Sequence, residues 1–233
     1  MMVSQIAELD SPRKRALEEA GLDSPYPLLG TFLAGPDSLA SFASDQPLNT
    51  EDRPVIEFRS PRLGERLNTS DLAAEMLGML SLLQEPIHPN YITVNPTSAA
   101  KVLGAQRARW TARQGLIAKN YGSHVEAAQL FQAALAQYPA DDLARHEMEV
   151  YLVAHAKQCL DRGLFNQARQ VLQQAVKVNP RSIGALGSLA ALEEQAGNRT
   201  EANRLWERAL SVDPHDRDIR RRVANAGSTF DRY

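Results

Sequence analysis

The sequence predicts a mostly α-helical protein: a superhelix of three helical hairpins closed by a capping helix, preceded by a short irregular region of helices and one strand. Three observations carry this expectation. A pattern of small, large and proline residues repeats at a fixed period in the second part of the 233-residue chain. Alanine is concentrated in that part, with 25 of the 33 alanines after residue 98, while prolines crowd the first hundred positions. Charge divides at the same place: residues 1–100 hold 7 basic and 14 acidic side chains, and residues 101–233 hold 19 and 14. The net charge of −2 is therefore an average over an acidic segment and a basic one.

In the first segment Ser11-Pro12 opens a helix that runs to Glu19 and stops at Gly21. Ser24-Pro25 opens a second, carrying Leu28, Leu29, Phe32 and Leu33 and closed by Gly35, and Pro36 to Ala43 forms a third. A turn-rich loop then leads into Val55–Arg59, whose alternation between Pro54 and Pro61 predicts the one strand. A strand without a partner in its own chain is expected to sit out of place or to pair with another copy. Thr69 to Leu83 predicts an amphipathic helix with Leu72, Met76, Met79, Leu80 and Leu83 on its apolar face, the two methionines being core residues. The run Glu85 to Pro96, with three prolines and two asparagines, predicts a linker. The expected division is an N-terminal region over 1–84, a linker over 85–104 and a repeat array over 105–233.

In the array Gly163, Ala168, Leu172, Ala175 and Pro180 recur 34 residues later as Gly197, Ala202, Trp206, Ala209 and Pro214. Gly122, Ala127, Phe131, Ala134 and Pro139 form a third copy, 41 residues upstream of the first. The seven additional residues match two helical turns, which predicts one lengthened helix between Asp141 and Leu160. Each position has a physical reason. The glycine ends the first helix of a pair in the left-handed conformation. The alanines let the second helix approach closely, and the large residue fills the space between them. The proline follows the second helix by about a turn, where its missing N–H does little harm. Asp216 to Asn225, with four arginines, predicts a polar helix that caps the open end.

This pattern resembles the tetratricopeptide repeat, with units at about 108–141, 149–182 and 183–216. Gly115, Ala156 and Ala190 match the family's small residue in the first helix. The chain departs from the family where its leucine is Gln114 or His155 and its tyrosine is Ala118, Cys159 or Glu193. The resemblance implies a concave groove lined by the second, fifth, ninth and twelfth residues of each unit. These are Arg109, Ala112, Leu116 and Lys119, then Val150, Val153, Lys157 and Leu160. The third unit supplies Gly184, Gly187, Ala191 and Glu194. The implied ligand is a protein or peptide, an upstream part of the same protein included, and the groove is either open or filled by the chain itself. The paired lysines and asparagines with which chaperone-binding members grip a terminal carboxylate are missing from these positions.

Residues 47–62, Pro-Leu-Asn-Thr-Glu-Asp-Arg-Pro followed by Val-Ile-Glu-Phe-Arg-Ser-Pro-Arg, resemble the closing segment of bacterial spermidine synthase-like proteins, over about residues 10–62. That resemblance implies an aminopropyltransferase-type domain upstream, this chain being the C-terminal portion of a longer protein whose catalytic site lies elsewhere. The adjacent Met1 and Met2 suit an added initiator. No G-x-G turn occurs in the chain, so no cofactor-binding residue is assigned, and Glu51 and Asp52 read as turn-forming acids. His155 and Cys159 have a spacing that suits two ligands of one metal, but both fall on repeat positions and read as packing residues. No catalytic, cofactor or metal site is expected. Neither nucleic acid nor a membrane span is expected from the near-balanced charge and the absence of a long apolar run. Self-association through the stack ends or the strand is a further reading. The single cysteine suits a reducing compartment, and the cytoplasm is the expected location, with membrane association if an upstream membrane part exists.

Overall fold

The computed structural model describes residues 25–44, 76–88 and 95–227. Among these, the regular elements are all α-helical: α1 (Pro25–Gly30), α2 (Pro36–Ala43), α3 (Pro96–Asn120), α4 (His124–Gln137), α5 (Asp142–Asp161), α6 (Phe165–Val178), α7 (Ile183–Gln195), α8 (Arg199–Val212) and α9 (Arg217–Gly227). Residues 76–81 are helical too. The expected helix over 12–19 and the expected strand over 55–59 lie outside the described residues. The chain forms two compact units, residues 1–144 and 145–233.

The first helix of each hairpin ends in one way. Gly122, Gly163 and Gly197 have φ of 80°, 72° and 83°. Their N–H groups donate to the carbonyls of Lys119, Leu160 and Glu194, and the next residues, Ser123, Leu164 and Asn198, donate to Ala118, Cys159 and Glu193. This bond pair defines the Schellman termination and uses up carbonyls that the helix end leaves without partners. An L side chain in the left-handed region costs roughly 1–2 kcal/mol, so glycine is the inexpensive residue at all three turns. The second helices end on extended residues, Tyr138, Asn179 and Asp213. Each precedes a proline, whose ring excludes the helical conformation from the residue before it. The prolines therefore follow the helix ends by two residues, closer than the turn expected from the sequence.

Within each unit the repeated residues form the core. Ala127, Phe131 and Ala134, then Ala168, Leu172 and Ala175, then Ala202, Trp206 and Ala209 are all buried. A Cβ added to Gly115 would stand 2.6 Å from Phe131 Cε1, so the aromatic ring packs against the backbone of α3. Ala156 and Ala190 share one cluster with Leu172 and Trp206. Burying a side chain of Leu or Phe size is worth roughly 1.5–3 kcal/mol. The pairs α3–α4, α5–α6 and α7–α8 are thus sequential helical hairpins of tetratricopeptide-like fold, and α9 follows α8, burying Ile219. The lengthened helix is present as the 20-residue α5.

The first helices begin on side-chain caps. Asn95 Oδ1 accepts from Ser98 N–H at 2.8 Å, Asp141 Oδ1 from Ala144 N–H at 2.8 Å and Ser182 Oγ from Ala185 N–H at 2.9 Å. With Asn95 as cap and Pro96 preset for the first turn, α3 starts at Pro96, so residues 96–104 belong to a helix and not to the expected linker.

The first unit also corrects the expected N-terminal elements. The helix opened at Pro25 stops at Gly30, short of Gly35. Tertiary bonds claim the next carbonyls: Gln106 Nε2 donates to Phe32 O at 3.2 Å and Glu85 N–H donates to Leu33 O at 2.9 Å. Gln106 is fully buried, donates to Glu85 O as well and accepts from Ile87 N–H, which ties both segments to α3. The Glu85 carboxylate accepts from Gly35 N–H and Ser38 Oγ at the start of α2, and these bonds hold its pKa below the ordinary value. Met76 and Met79 are 56% and 46% exposed, against the core role expected of them; Leu83 and Ile87 are the residues turned inward.

Candidate functional site

The groove positions of the second hairpin converge. Val150, Val153, Lys157 and Leu160 line a hollow of about 400 Å³, together with Glu149, Ala154, Ser188 and the buried Ala156 and Leu172. Residues three, four and three apart on α5 fall on one face. The walls are chiefly aliphatic. Val150 is 41% exposed, Lys157 is exposed, and Val153 and Leu160 are half-buried. At the Val150 end, Glu149 accepts from Ser182 Oγ at 2.6 Å and from Asn179 Nδ2 at 3.0 Å, which fixes the turn before α7. The hollow thus offers apolar surface with the Lys157 ammonium along it and, at the Val150 end, the Glu149 carboxylate held by Ser182 and Asn179.

The groove positions of the first hairpin are occupied differently. Arg109 is largely buried, its Nε 2.9 Å from Asp141 Oδ2 and its Nη2 bonded to Asp142. Ala112 is fully buried. Leu116 and Lys119 are half-buried. The N-terminal segments attach to α3 one turn to either side of Arg109: Gly30 packs on Ala105 and Arg113 Nη2 donates to Thr31 O at 3.3 Å. Burial depresses the pKa of the Arg113 guanidinium, and Arg109 beside it adds to the effect. For Asp141, burial is the largest influence and raises its pKa above the ordinary value, although the Ala144 N–H and Arg109 oppose it.

In the third hairpin the positions serve structure. Gly184 is exposed, and Gly187 lies where a Cβ would be 3.2 Å from Trp206 Cζ3. Ala191 packs against the core. Glu194 accepts from Trp206 Nε1 at 2.9 Å and from Arg222 Nη1 at 3.1 Å, while the Arg222 guanidinium stands 4.8 Å from the Trp206 ring centre. Glu193, where the family has tyrosine, is buried; its carboxylate accepts from Asn198 Nδ2 at 2.6 Å and Arg169 Nε at 2.7 Å. Burial pushes its pKa up, but these bonds and the Arg169 charge outweigh that and hold it below the ordinary value.

Cys159 is buried, as expected, but His155 is exposed beside Tyr151, correcting its assignment to the core. An imidazole at that place on α5 keeps its hydration. Among the described residues no group of three His, Cys, Asp or Glu side chains is placed to hold a metal ion. Among them also, no helix is long and apolar enough to cross a membrane. Glu149, Ala154 and Ser188 line the hollow without having been singled out in the sequence. The available signal was that Glu149 opens the second unit and Ser188 follows Gly187, one residue outside the family's groove positions.

No protein-family model matches the chain. Over 56 residues it is 43% identical to cellulose synthase operon protein C of Escherichia coli strain K12 and to the putative protein of that name in Escherichia coli O157:H7. That segment is 24% of this chain and 5% of either relative. The solved structure of MamA AMB-1 in its P212121 form is 16% identical, with a TM-score of 0.38 over 70% of this chain and 79% of that one. The C2221 form gives 15% and 0.36 over 70% and 87%. The tetratricopeptide-like assignment stands on the repeat geometry itself. The likeness of residues 10–62 to spermidine synthase-like proteins gains no support from these relatives, and most of that segment lies outside the described residues.

Proposed function

We propose that this chain is a protein-interaction module that holds a segment of a partner protein in the hollow along α5. The observation that carries this is the convergence of Val150, Val153, Lys157 and Leu160 on one open, mainly aliphatic depression of about 400 Å³. Depressions of this kind, mainly apolar with a few placed polar groups, are the usual form of binding sites. Helical-repeat proteins use the surface of their first helices in this way. The first hairpin contributes support: its equivalent face is engaged by the chain's own N-terminal segments and by the Arg109 ion pairs.

The test is selection of a displayed random-peptide library on the full chain, followed by titration of the enriched peptides against wild type and Val150→Asp. Val150 is exposed, so the substitution leaves the core intact, as circular dichroism will check. A loss of roughly tenfold or more in affinity is expected from placing a charge against an apolar contact. Enriched peptides that bind Val150→Asp as well as wild type overturn the reading.

A further inference from the structure

The hollow carries information about the shape and charge of what enters it, given the reading above, on which this inference rests. Val150, Val153, Lys157 and Leu160 follow the alternating three- and four-residue spacing that aligns side chains along the seam between two helices. At 1.5 Å per residue the line is about 15 Å long, more than two turns of a facing helix. Small side chains, Ala154 and Ser188, stand beside it and leave room for a helix to lie close.

Lys157 interrupts this apolar line with a charge. Among the described residues its ammonium takes part in no hydrogen bond or ion pair, and the carboxylate that shares the hollow, Glu149, is engaged with Ser182 and Asn179. A lysine within an apolar seam weakens association with an apolar partner and fixes the register of one that brings a carboxylate. We propose that the occupant is an acidic amphipathic helix of another protein. Its apolar side chains, three and four residues apart, meet Val150, Val153 and Leu160, and an Asp or Glu between them meets Lys157. Helices laid into apolar grooves are anchored at this spacing, and the charge pair excludes basic helices.

The peptides enriched on the full chain provide the test. They are expected to share apolar residues at three- and four-residue spacing around an acid and to gain helical circular dichroism on binding. Lys157→Glu, at an exposed position, is expected to weaken them about tenfold, and changing the peptide's acid to lysine is expected to restore binding to that variant. Binding that falls with Val150→Asp but is indifferent to Lys157→Glu overturns the acidic helix while leaving the hollow a binding site. Peptides indifferent to both substitutions, or no enrichment, overturn the helix and the binding site together. Occupation by a second copy, seen as a dimer in light scattering that Val150→Asp dissolves, overturns the assignment to another protein.

Discussion

The joint that opens α5 in the first unit and the joint that opens α7 in the second meet one requirement with opposite chemistries. Each helix begins with a buried cap that accepts an N–H from its third residue, Asp141 in one case and Ser182 in the other. In each, the first helix of the preceding hairpin supplies a second partner for the cap. Arg109 stands against the Asp141 carboxylate, and Glu149 accepts from the Ser182 hydroxyl. An acidic cap needs a cation because a buried charge left alone is expensive, whereas a hydroxyl cap needs only an acceptor. The repeat therefore dictates that the cap be satisfied and leaves the sign of the partner free. The difference shows beside each cap: Arg109 is tied to two aspartates, whereas Glu149 binds the turn, and among the described residues Lys157, farther along α5, takes part in no ion pair.

The largest effect should come from breaking the first joint. Arg109→Met leaves the Asp141 carboxylate buried without its cation and is expected to cost about 3 kcal/mol or more in urea unfolding. Glu149→Ala removes two hydrogen bonds from groups that can turn to water or keep their other contacts, and the expected cost is about 1–2 kcal/mol. Equal losses would break the comparison, showing that the two caps depend on their partners alike.

What could be read from the sequence follows the same division. Gly122, Gly163 and Gly197, the buried alanines and the residues before each proline act through local conformation or helix spacing, so their positions alone predicted their roles. Val150, Val153, Lys157 and Leu160 came from the groove positions that the family resemblance implies, and they line one hollow because side chains on one helix face stay together wherever the helix goes. The same implied positions put Arg109 and Glu194 in the groove, and their engagement comes from partners distant in sequence. Asp141 lies 32 residues from Arg109, and Arg222 lies 28 from Glu194. Gln106 was not singled out at all, since its bonds reach Phe32, 74 residues away. No periodicity reports such contacts. The exposed methionines show the converse limit: an apolar spacing on a short helix does not say which of its residues find a cover.

A smaller pair of effects tests whether close helix approach is equally strict in the two units. Gly115→Ala in α3 puts a Cβ 2.6 Å from the Phe131 ring, closer than atoms can stand, and is expected to cost about 1–3 kcal/mol through displacement of that ring. Gly187→Ala in α7 meets Trp206 at 3.2 Å and gains helix propensity of about 1 kcal/mol, so a net change near zero is expected. Thermal unfolding of both variants checks this, and a substantial loss at Gly187 would show that the third hairpin is packed as tightly as the first.

The smallest expected effects concern two buried carboxylates that should respond to acid in opposite directions. Glu193 in the second unit has a pKa held below its ordinary value of 4.5, so it contributes stability in full above about pH 4.5 and loses it as the pH falls through the lowered value. Asp141 in the first unit has a pKa raised above 3.8, so its contribution is fully present below that pH and is lost as the pH rises through the raised value. Glu193→Gln should therefore flatten the fall in urea stability between pH 5 and pH 3, roughly the range in which carboxylates titrate, and Asp141→Asn, which keeps a capping side chain, should steepen it. Comparing each variant's curve with that of wild type subtracts the background they share, so the difference reports the substituted carboxylate together with its immediate ion-pair partners. If Glu193→Gln instead steepens the fall, burial governs Glu193 as it governs Asp141, and the bonds from Asn198 and Arg169 do not compensate for the loss of water around the charge.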